Sequence, residues 1–276
     1  MKIHDRHKMI YGTDDDALRQ YIANVGSVID VDRCELFRIS KAAVKASRNK
    51  NEVVAEVDKI ERRWYQSLVI GQPDYSVYNE PVYVADLWSC WVIYSRKYLL
   101  ELLSEKSLPE GVAPVDTFGP VKTVCDLGCG PGLTTVGLKG IFESANVYGT
   151  NLSGTWQYTV AEKYGARHGF AMEGDIGMIP SNVDVLFASE YFEHIEEPVR
   201  HAVDVINGLK PRIMIIANTF TAPSIGHFDL YDTEYGLVPN KKIGRQFNSA
   251  LRDFGYIPIK TKLWNNRPMY WRHKDA

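Results

Sequence analysis

The 276-residue sequence has little cysteine, no long apolar run and no strong excess of either charge. Its four cysteines, Cys34, Cys90, Cys125 and Cys129, make no C-x-x-C pair and no metal-ligand ladder. That excludes a zinc ribbon and a disulfide framework, and reads as reduced thiols in a cytoplasmic chain. Apolar stretches are broken by Ser, Lys or Gly well short of the roughly 20 residues that cross a bilayer. The opening Met1-Lys2-Ile3-His4-Asp5-Arg6 has no apolar core of a secretion signal. The expectation is a cytoplasmic protein with no membrane partner. A formal net charge of -2 supplies no global attraction to nucleic acid, although a local patch depends on distribution and not on the sum. Internal repeats and low-complexity tracts are also missing.

What is present falls into two parts, divided near residue 115. Residues 1–115 read as a helical, aromatic-rich extension. Apolar residues recur at helical spacing in Asp14–Asn24, Asp30–Ser47 and Glu52–Ile70, and Asp14-Asp15-Asp16 suits a helix start. An aromatic run from Tyr75 to Tyr98 follows, its second half (Val84–Leu103) reading as one amphipathic helix. Such a stripe serves either as packing or as a lid over a pocket. Pro and Gly in Leu108–Pro114 mark a connector.

Residues 116–276 alternate short apolar runs with helical stretches. Strands are expected at Lys122–Asp126, Asn146–Thr150, Phe170–Glu173, Val183–Ser189 and Ile213–Asn218. Helices are expected at Leu133–Phe142, Ser153–Tyr164, Pro198–Leu209 and Lys241–Phe254. Alternation of this kind predicts a doubly wound, Rossmann-like α/β fold with a parallel sheet covered on both faces. Ile257–Leu263 and Pro268–Arg272, joined at Asn265-Asn266, predict a terminal hairpin that brings the sheet to seven strands.

The first strand runs into Val124-Cys125-Asp126-Leu127-Gly128-Cys129-Gly130-Pro131-Gly132 and then a helix. Glycines here let the backbone turn and approach a ligand, and let helix and strand pack closely. The string resembles the first motif of class I S-adenosylmethionine-dependent methyltransferases. That resemblance implies a cofactor site at Asp126, Gly128, Cys129, Gly130 and Gly132. It also implies ribose binding at the end of the second strand, where Asn151 stands in place of the usual Asp or Glu. An amide donates and accepts, but the charge-assisted bond is lost, so weaker cofactor affinity or a modified cofactor is expected. The resemblance further implies adenine contacts from Leu152 and Asp175, with Ile176 and Ser189 also in the cofactor site. Asp175 reads equally as a strand-end turn residue.

The fourth strand leads into Ser189-Glu190-Tyr191-Phe192-Glu193-His194. A helical turn beginning at Ser189 would put Glu190, Glu193 and His194 on one face, at the sheet edge where open α/β folds bind ligands. Two carboxylates and an imidazole suit Mg²⁺ or Mn²⁺. This E-x-x-E-H string resembles two O-methyltransferase groups, one acting on the terminal 2′-hydroxyl of small RNAs and one on catechol-like rings in the ubiquinone pathway. In the RNA group a later histidine completes the metal site, and His227 stands at that place; Gly244-Arg245-Gln246-Phe247 also resembles the helix start that follows there. The resemblance implies Glu190, Glu193, His194 and His227 as metal ligands, with Glu193, His194 and His227 catalytic; alternatively His194 or His227 takes the proton as a metal-free general base.

Neither the Asp-Pro-Pro-Tyr or Asn-Pro-Pro-Tyr string of amine-directed DNA enzymes nor a Pro-Cys nucleophile pair after the fourth strand occurs, and Asn218-Thr219 reads only as a polar strand end. Three functions are weighed. One is O-methylation of a nucleic-acid ribose or related hydroxyl, with Lys41, Lys45, Arg48, Lys50 and Arg62-Arg63 as phosphate contacts. The second is O-methylation of a small metabolite under an aromatic lid. The third is a non-catalytic binding protein, for which Asn151 is the single supporting feature. His4, His7, His168, His201 and His273 show no partner pattern.

Overall fold

The computed structural model describes residues 13–29, 32–34, 36–38, 40, 54–80, 83–84, 88–104, 107–109, 119–263 and 268–276, without the side chains of 54–57, 89, 90 and 96. Lys41, Lys45, Arg48, Lys50, most of the helix expected at Asp30–Ser47, and the Asn265-Asn266 turn lie outside the described residues. The chain divides into two compact units: residues 1–97 with 224–226, and residues 98–223 with 227–276.

In the first unit, helix α1 (Asp14–Val25) opens with a reciprocal cap. The Asp16 amide donates to Thr13 Oγ1 at 3.2 Å, and the Thr13 amide donates to Asp16 Oδ2 at 3.0 Å. Three aspartates in its first turn complement the helix dipole. Its apolar side chains Leu18, Tyr21, Ile22 and Val25 are buried, and the Tyr21 hydroxyl donates to Val84 O at 2.8 Å. Helix α2 (Val54–Val69) buries Ile60 and Trp64. A 3₁₀ turn at Tyr75–Asn79 precedes helix α3 (Trp88–Leu102). Tyr75 and Tyr78 stack on each other (6.5 Å between centroids) and both tilt against Trp64. Arg63 is held by Asp74 (3.0 Å) and Glu80 (2.6 Å), so this cation is already paired.

The second unit is built on a seven-stranded sheet. Strands β1 (Thr123–Asp126), β2 (Asn146–Thr150), β3 (Ala171–Glu173), β4 (Val185–Ser189) and β5 (Ile213–Ala217) are joined by helices α4 (Leu133–Ile141), α5 (Trp156–His168) and α6 (Pro198–Leu209). After β5 come a two-stranded ribbon, β6 (Leu230–Tyr231) and β7 (Val238–Pro239), then helix α7 (Asn240–Asp253) and strands β8 (Tyr256–Lys260) and β9 (Met269–His273). The sheet order is β3-β2-β1-β4-β5-β9-β8, with β1 to β5 parallel and β9 antiparallel to both neighbours. The doubly wound fold and the terminal hairpin are therefore as expected from the sequence. The ribbon β6–β7 was not expected; its two-residue strands are too short to carry a periodic signal.

Local chemistry sets the element ends. Helix α5 starts at Trp156 and not at Ser153, because Thr155 Oγ1 accepts from the Tyr158 amide at 3.2 Å, and it ends where Gly169 turns left-handed at φ 81°. Central strands β4 and β5 are almost wholly buried, as Val185-Leu186-Phe187-Ala188 and Ile213–Ala217 must be when helices cover both faces. Strand order reverses between β1 and β4. Their carboxyl ends, Asp126 and Ser189, flank the crevice where this class of sheet takes its ligand.

Candidate functional site

The glycine loop leaves β1 at Asp126, which is 2% exposed. Thr134 and Thr135, in the first turn of α4, donate their hydroxyls to Asp126 Oδ2 at 2.7 and 2.6 Å. Burial pushes the Asp126 carboxyl up to about 6 against the pull of those two hydroxyls. Asp126 thus ties the loop to the helix that follows it.

Gly128, Gly130 and Gly132 all take positive φ, at 66°, 55° and 85°. A Cβ on Gly128 would lie 1.9 Å from Tyr191 Cδ2, and one on Gly132 would press on Ala161 and Phe170 at 3.1 to 3.3 Å. The first glycine admits the Tyr191 ring, and the last lets α4 close on its neighbours. Cys129 is buried, its Sγ 3.7 Å from Met172 Sδ. Cys34, Cys125 and Cys129 are free thiols.

Asn151, just past β2, has a structural task. Its Nδ2 donates to Gly130 O at 3.1 Å and lies 3.4 Å from Gln157 Oε1, while its Oδ1 accepts from the Leu152 amide at 2.8 Å. The amide clasps the glycine loop from the next strand, a bond a carboxylate cannot donate. The feature that favoured a non-catalytic reading is therefore accounted for within the loop itself. Asp175 is exposed and caps the 3₁₀ turn Ile176–Met178, its Oδ1 accepting from the Gly177 amide at 2.8 Å. Leu152 (73% exposed) and Met178 (70%) offer apolar surface beyond the ends of β2 and β3. The backbone turns, this apolar surface and the nearby polar groups of Asn151 and Asp175 fit a nucleoside-bearing cofactor such as S-adenosylmethionine.

On the other side of the crevice the expected helical turn at Ser189 does not form. β4 runs through Ser189, whose Oγ is 3.4 Å from the Tyr98 hydroxyl. Glu190 then turns left-handed at φ 53°, with its amide donating to Ala217 O at 2.8 Å, and a 3₁₀ turn covers Phe192–His194. That strand-like amide bond holds Glu190 to β5 and prevents helical spacing from starting. Glu190, Glu193 and His194 accordingly do not share a helical face.

Tertiary structure assembles a related set instead. One ligand atom each from Glu190, Glu193 and His227 lies within 4.8 Å of the others, the one such group among the described residues. His194 stands outside it, its ring edge-on to His227 at 4.8 Å between centroids. Glu193 is fully buried and His227 is 4% exposed.

The end of β5 supplies the support. The Thr219 amide donates to Glu193 Oε1 at 2.7 Å and the Thr219 hydroxyl to Glu190 Oε1 at 3.1 Å. Asn218, with its amide oriented to suit its neighbours, donates to Glu193 Oε2 at 3.2 Å. The Tyr231 hydroxyl donates to Glu193 O at 2.9 Å. Asn218 and Thr219 are the residues that sequence reasoning passed over. A polar pair at the carboxyl end of a central strand was the available signal.

Burial raises the Glu193 carboxyl well above the carboxylate range, with the Glu190 charge adding to it; Glu190 is raised by burial as well. Burial lowers the His227 imidazole, so it is neutral near pH 7. His227 Nδ1 lies 2.8 Å from Ala222 O, which a donated N–H satisfies. A neutral imidazole beside one buried and one half-buried carboxyl fits a divalent cation.

His201 also gains a role, with Nε2 2.9 Å from the Tyr191 hydroxyl. A cleft of about 480 Å³, lined in part by Asp184, Lys210, Arg212 and His273, opens at the opposite, amino-terminal ends of β4 and β5. It is remote from this chemistry.

Comparison with known proteins agrees with the architecture. Residues 125–216 match the family model described as a methyltransferase domain. The apo S-adenosylmethionine-dependent methyltransferase SibL aligns at TM-score 0.50 and 16% identity, covering 87% of this chain and 75% of that one. A sugar N-methyltransferase, KedS8 from a Streptoalloteichus species, aligns at 0.40 and 12%, covering 56% and 81%. The Methanococcus jannaschii fibrillarin pre-rRNA processing protein aligns at 0.43 and 14%, covering 61% and 72%. No curated protein sequence matches the chain. No helix among the described residues is long and apolar enough to cross a membrane. With the glycine loop, the sheet order and the matched segment in agreement, residues 125–216 carry a methyltransferase domain within a methyltransferase-like fold.

Proposed function

We propose that this methyltransferase transfers the methyl group to a hydroxyl oxygen, on a nucleic-acid ribose or a related vicinal diol. The transfer is assisted by a divalent cation, Mg²⁺ or Mn²⁺, held by Glu190, Glu193 and His227. The observation that carries the reading is the convergence of those three side chains at the carboxyl end of β4, beside the glycine loop. When bound, such a cation lowers the pKa of a hydroxyl and stabilises the developing alkoxide.

The residues themselves do the rest. Glu190 and Glu193 supply the negative charge, and Asn218 and Thr219 hold the carboxylates in place. His227, neutral and anchored by Ala222 O, supplies a nitrogen ligand. His194, next to His227 but outside the ligand group, is positioned to accept the hydroxyl proton as a general base. Gly128, Gly130 and Asn151 would hold the cofactor on the facing side of the crevice.

The test is transfer of labelled methyl from S-adenosylmethionine to a panel of RNA, DNA and catechol-like acceptors, with and without chelator. Chelator-sensitive labelling of RNA is the expected result. Labelling indifferent to chelator removes the cation and leaves the histidines as bases. Labelling of catechols alone would replace the acceptor with a small metabolite. The variants Glu193→Ala and His227→Ala should lose transfer while still binding S-adenosylhomocysteine.

A further inference from the structure

Tyr191 stands between the two carboxylates in sequence and against the glycine loop in space. Its ring lies over Gly128, where an added Cβ would come within 1.9, 2.5 and 2.9 Å of Tyr191 Cδ2, Cε2 and Cγ. Its hydroxyl is 2.9 Å from Nε2 of His201, near the start of α6. Its carbonyl accepts from the His194 amide at 3.0 Å, which closes the 3₁₀ turn that carries Glu193. One residue earlier, the chain turns left-handed at Glu190.

The other supports of this turn come from β5 and the elements after it. The Glu190 amide donates to Ala217 O, and Asn218 and Thr219 hold the Glu193 carboxylate. The Tyr231 hydroxyl donates to Glu193 O, and Phe192 packs on Phe247 of α7 at 4.8 Å between centroids. In the sheet, β1 lies on the other flank of β4 from β5. Tyr191 supports the turn from that flank, through its ring on the loop after β1 and its hydroxyl on α6. Burial raises the Tyr191 hydroxyl and lowers the His201 imidazole, so the two are neutral near pH 7.

We propose that Tyr191 is a positioning residue for methyl transfer. With its ring seated on Gly128 and its hydroxyl anchored to His201, it fixes the Glu190–Glu193 turn against the cofactor loop. This deepens the reading of that turn as the acceptor side of the crevice, and rests on it. Tyr191 acts on the acceptor only through the turn. Its contribution is alignment, and misplacement of reacting groups by about 1 Å can cost on the order of 10²-fold in rate. A single neutral hydrogen bond sets a smaller scale, up to about tenfold.

The experiment follows labelled methyl transfer from S-adenosylmethionine by the full chain across the acceptor panel, with S-adenosylhomocysteine affinity by calorimetry. Tyr191→Phe keeps the ring over Gly128 and removes the hydroxyl. His201→Leu breaks the same bond from the other partner, so a folded specimen of either variant decides the matter. His201→Gln offers an amide in place of Nε2. With either bond-breaking variant, kcat should fall about tenfold, and the double variant should fall no further, since the two share one interaction. His201→Gln should recover most of that loss. KM for S-adenosylmethionine and affinity for S-adenosylhomocysteine should stay within about threefold throughout. Loss of cofactor affinity with kcat retained would make the pair mere support for the loop and overturn the inference. Additive losses, or kcat unchanged within about twofold, would overturn it as well. A wild-type chain that labels no acceptor of the panel would overturn the proposed function, and this inference with it. Wild-type labelling with unchanged variants would overturn only the inference.

Discussion

The two sides of the crevice are built by different means. The cofactor side, from β1 to β3, is made of backbone: glycines at positive φ, an amide clasp from Asn151, and a buried carboxylate tying the loop to α4. Its parts lie close together in sequence. The acid–histidine side is made of side chains from three segments, Glu190 and Glu193 after β4, Thr219 after β5, and His227 farther along the same connection. A backbone device tolerates little change at a few positions. A side-chain device depends on several partners that can be removed singly, leaving the fold in place.

The largest effect should come from the acid side. On the proposed cation role, Glu193→Gln keeps the shape but exchanges a ligand oxygen for an amide, and loss of Lewis-acid assistance is worth several kcal/mol, about 10³-fold in rate. Methyl transfer should fall by that order while S-adenosylhomocysteine affinity, read by calorimetry, stays within twofold. A matching loss of cofactor affinity would erase the distinction between the two sides.

Gly128→Ala attacks the backbone device. Left-handed strain and the collision with Tyr191 together should cost about 3 kcal/mol, seen in urea unfolding, with cofactor binding lost as well. Adding Tyr191→Ala should recover part of the loss, since it removes the collision and leaves the strain.

Asp126 sets a pH dependence of similar size. Its folded value of about 6 lies above the ordinary 3.8, so the folded state holds the proton more tightly than the unfolded chain. The stability this confers is present below about pH 4 and is lost as pH rises through about 6. Over that range the wild type should lose about 3 kcal/mol relative to Asp126→Asn, as measured by urea unfolding at each pH. Parallel pH profiles for the two proteins would show that Asp126 is not perturbed by burial.

The smallest effect is expected at Asn151. Restoring the acid by Asn151→Asp gives the ribose a charged acceptor, but it removes the donor to Gly130 O and sets a carboxylate beside a carbonyl. These oppose each other, so cofactor affinity should change by less than about 1 kcal/mol, by the usual size of a neutral hydrogen bond. A tenfold gain would show that the clasp is dispensable.

Much of the cofactor side was legible in the sequence. Val124 to Gly132 carries strand, turn and helix start in nine residues, and glycine can be recognised where no other residue fits. The cluster was legible only in its members. Spacing suggested Glu190, Glu193 and His194 on one helical face, but the left-handed Glu190 and the 3₁₀ turn put His194 beside the group and not in it. His227 was suggested by resemblance. Asn218, Thr219 and Tyr231 were not singled out as support, because a hydrogen bond across 26 or 38 residues leaves no periodic trace. His201 was passed over for the same reason, its partner Tyr191 being ten residues away on another element.

By itself, then, the sequence determined the alternating strands and helices, the seven-stranded doubly wound sheet and the glycine turn after β1. Each of these follows from local periodicity and from conformations that only glycine reaches at low cost. Only the tertiary structure decided which oxygens of Glu190 and Glu193 are occupied, that Asn151 clasps the loop, and that His227 and not His194 completes the group. Those outcomes depend on where parallel strands end beside one another, and strand order and register bring together residues that no local spacing relates.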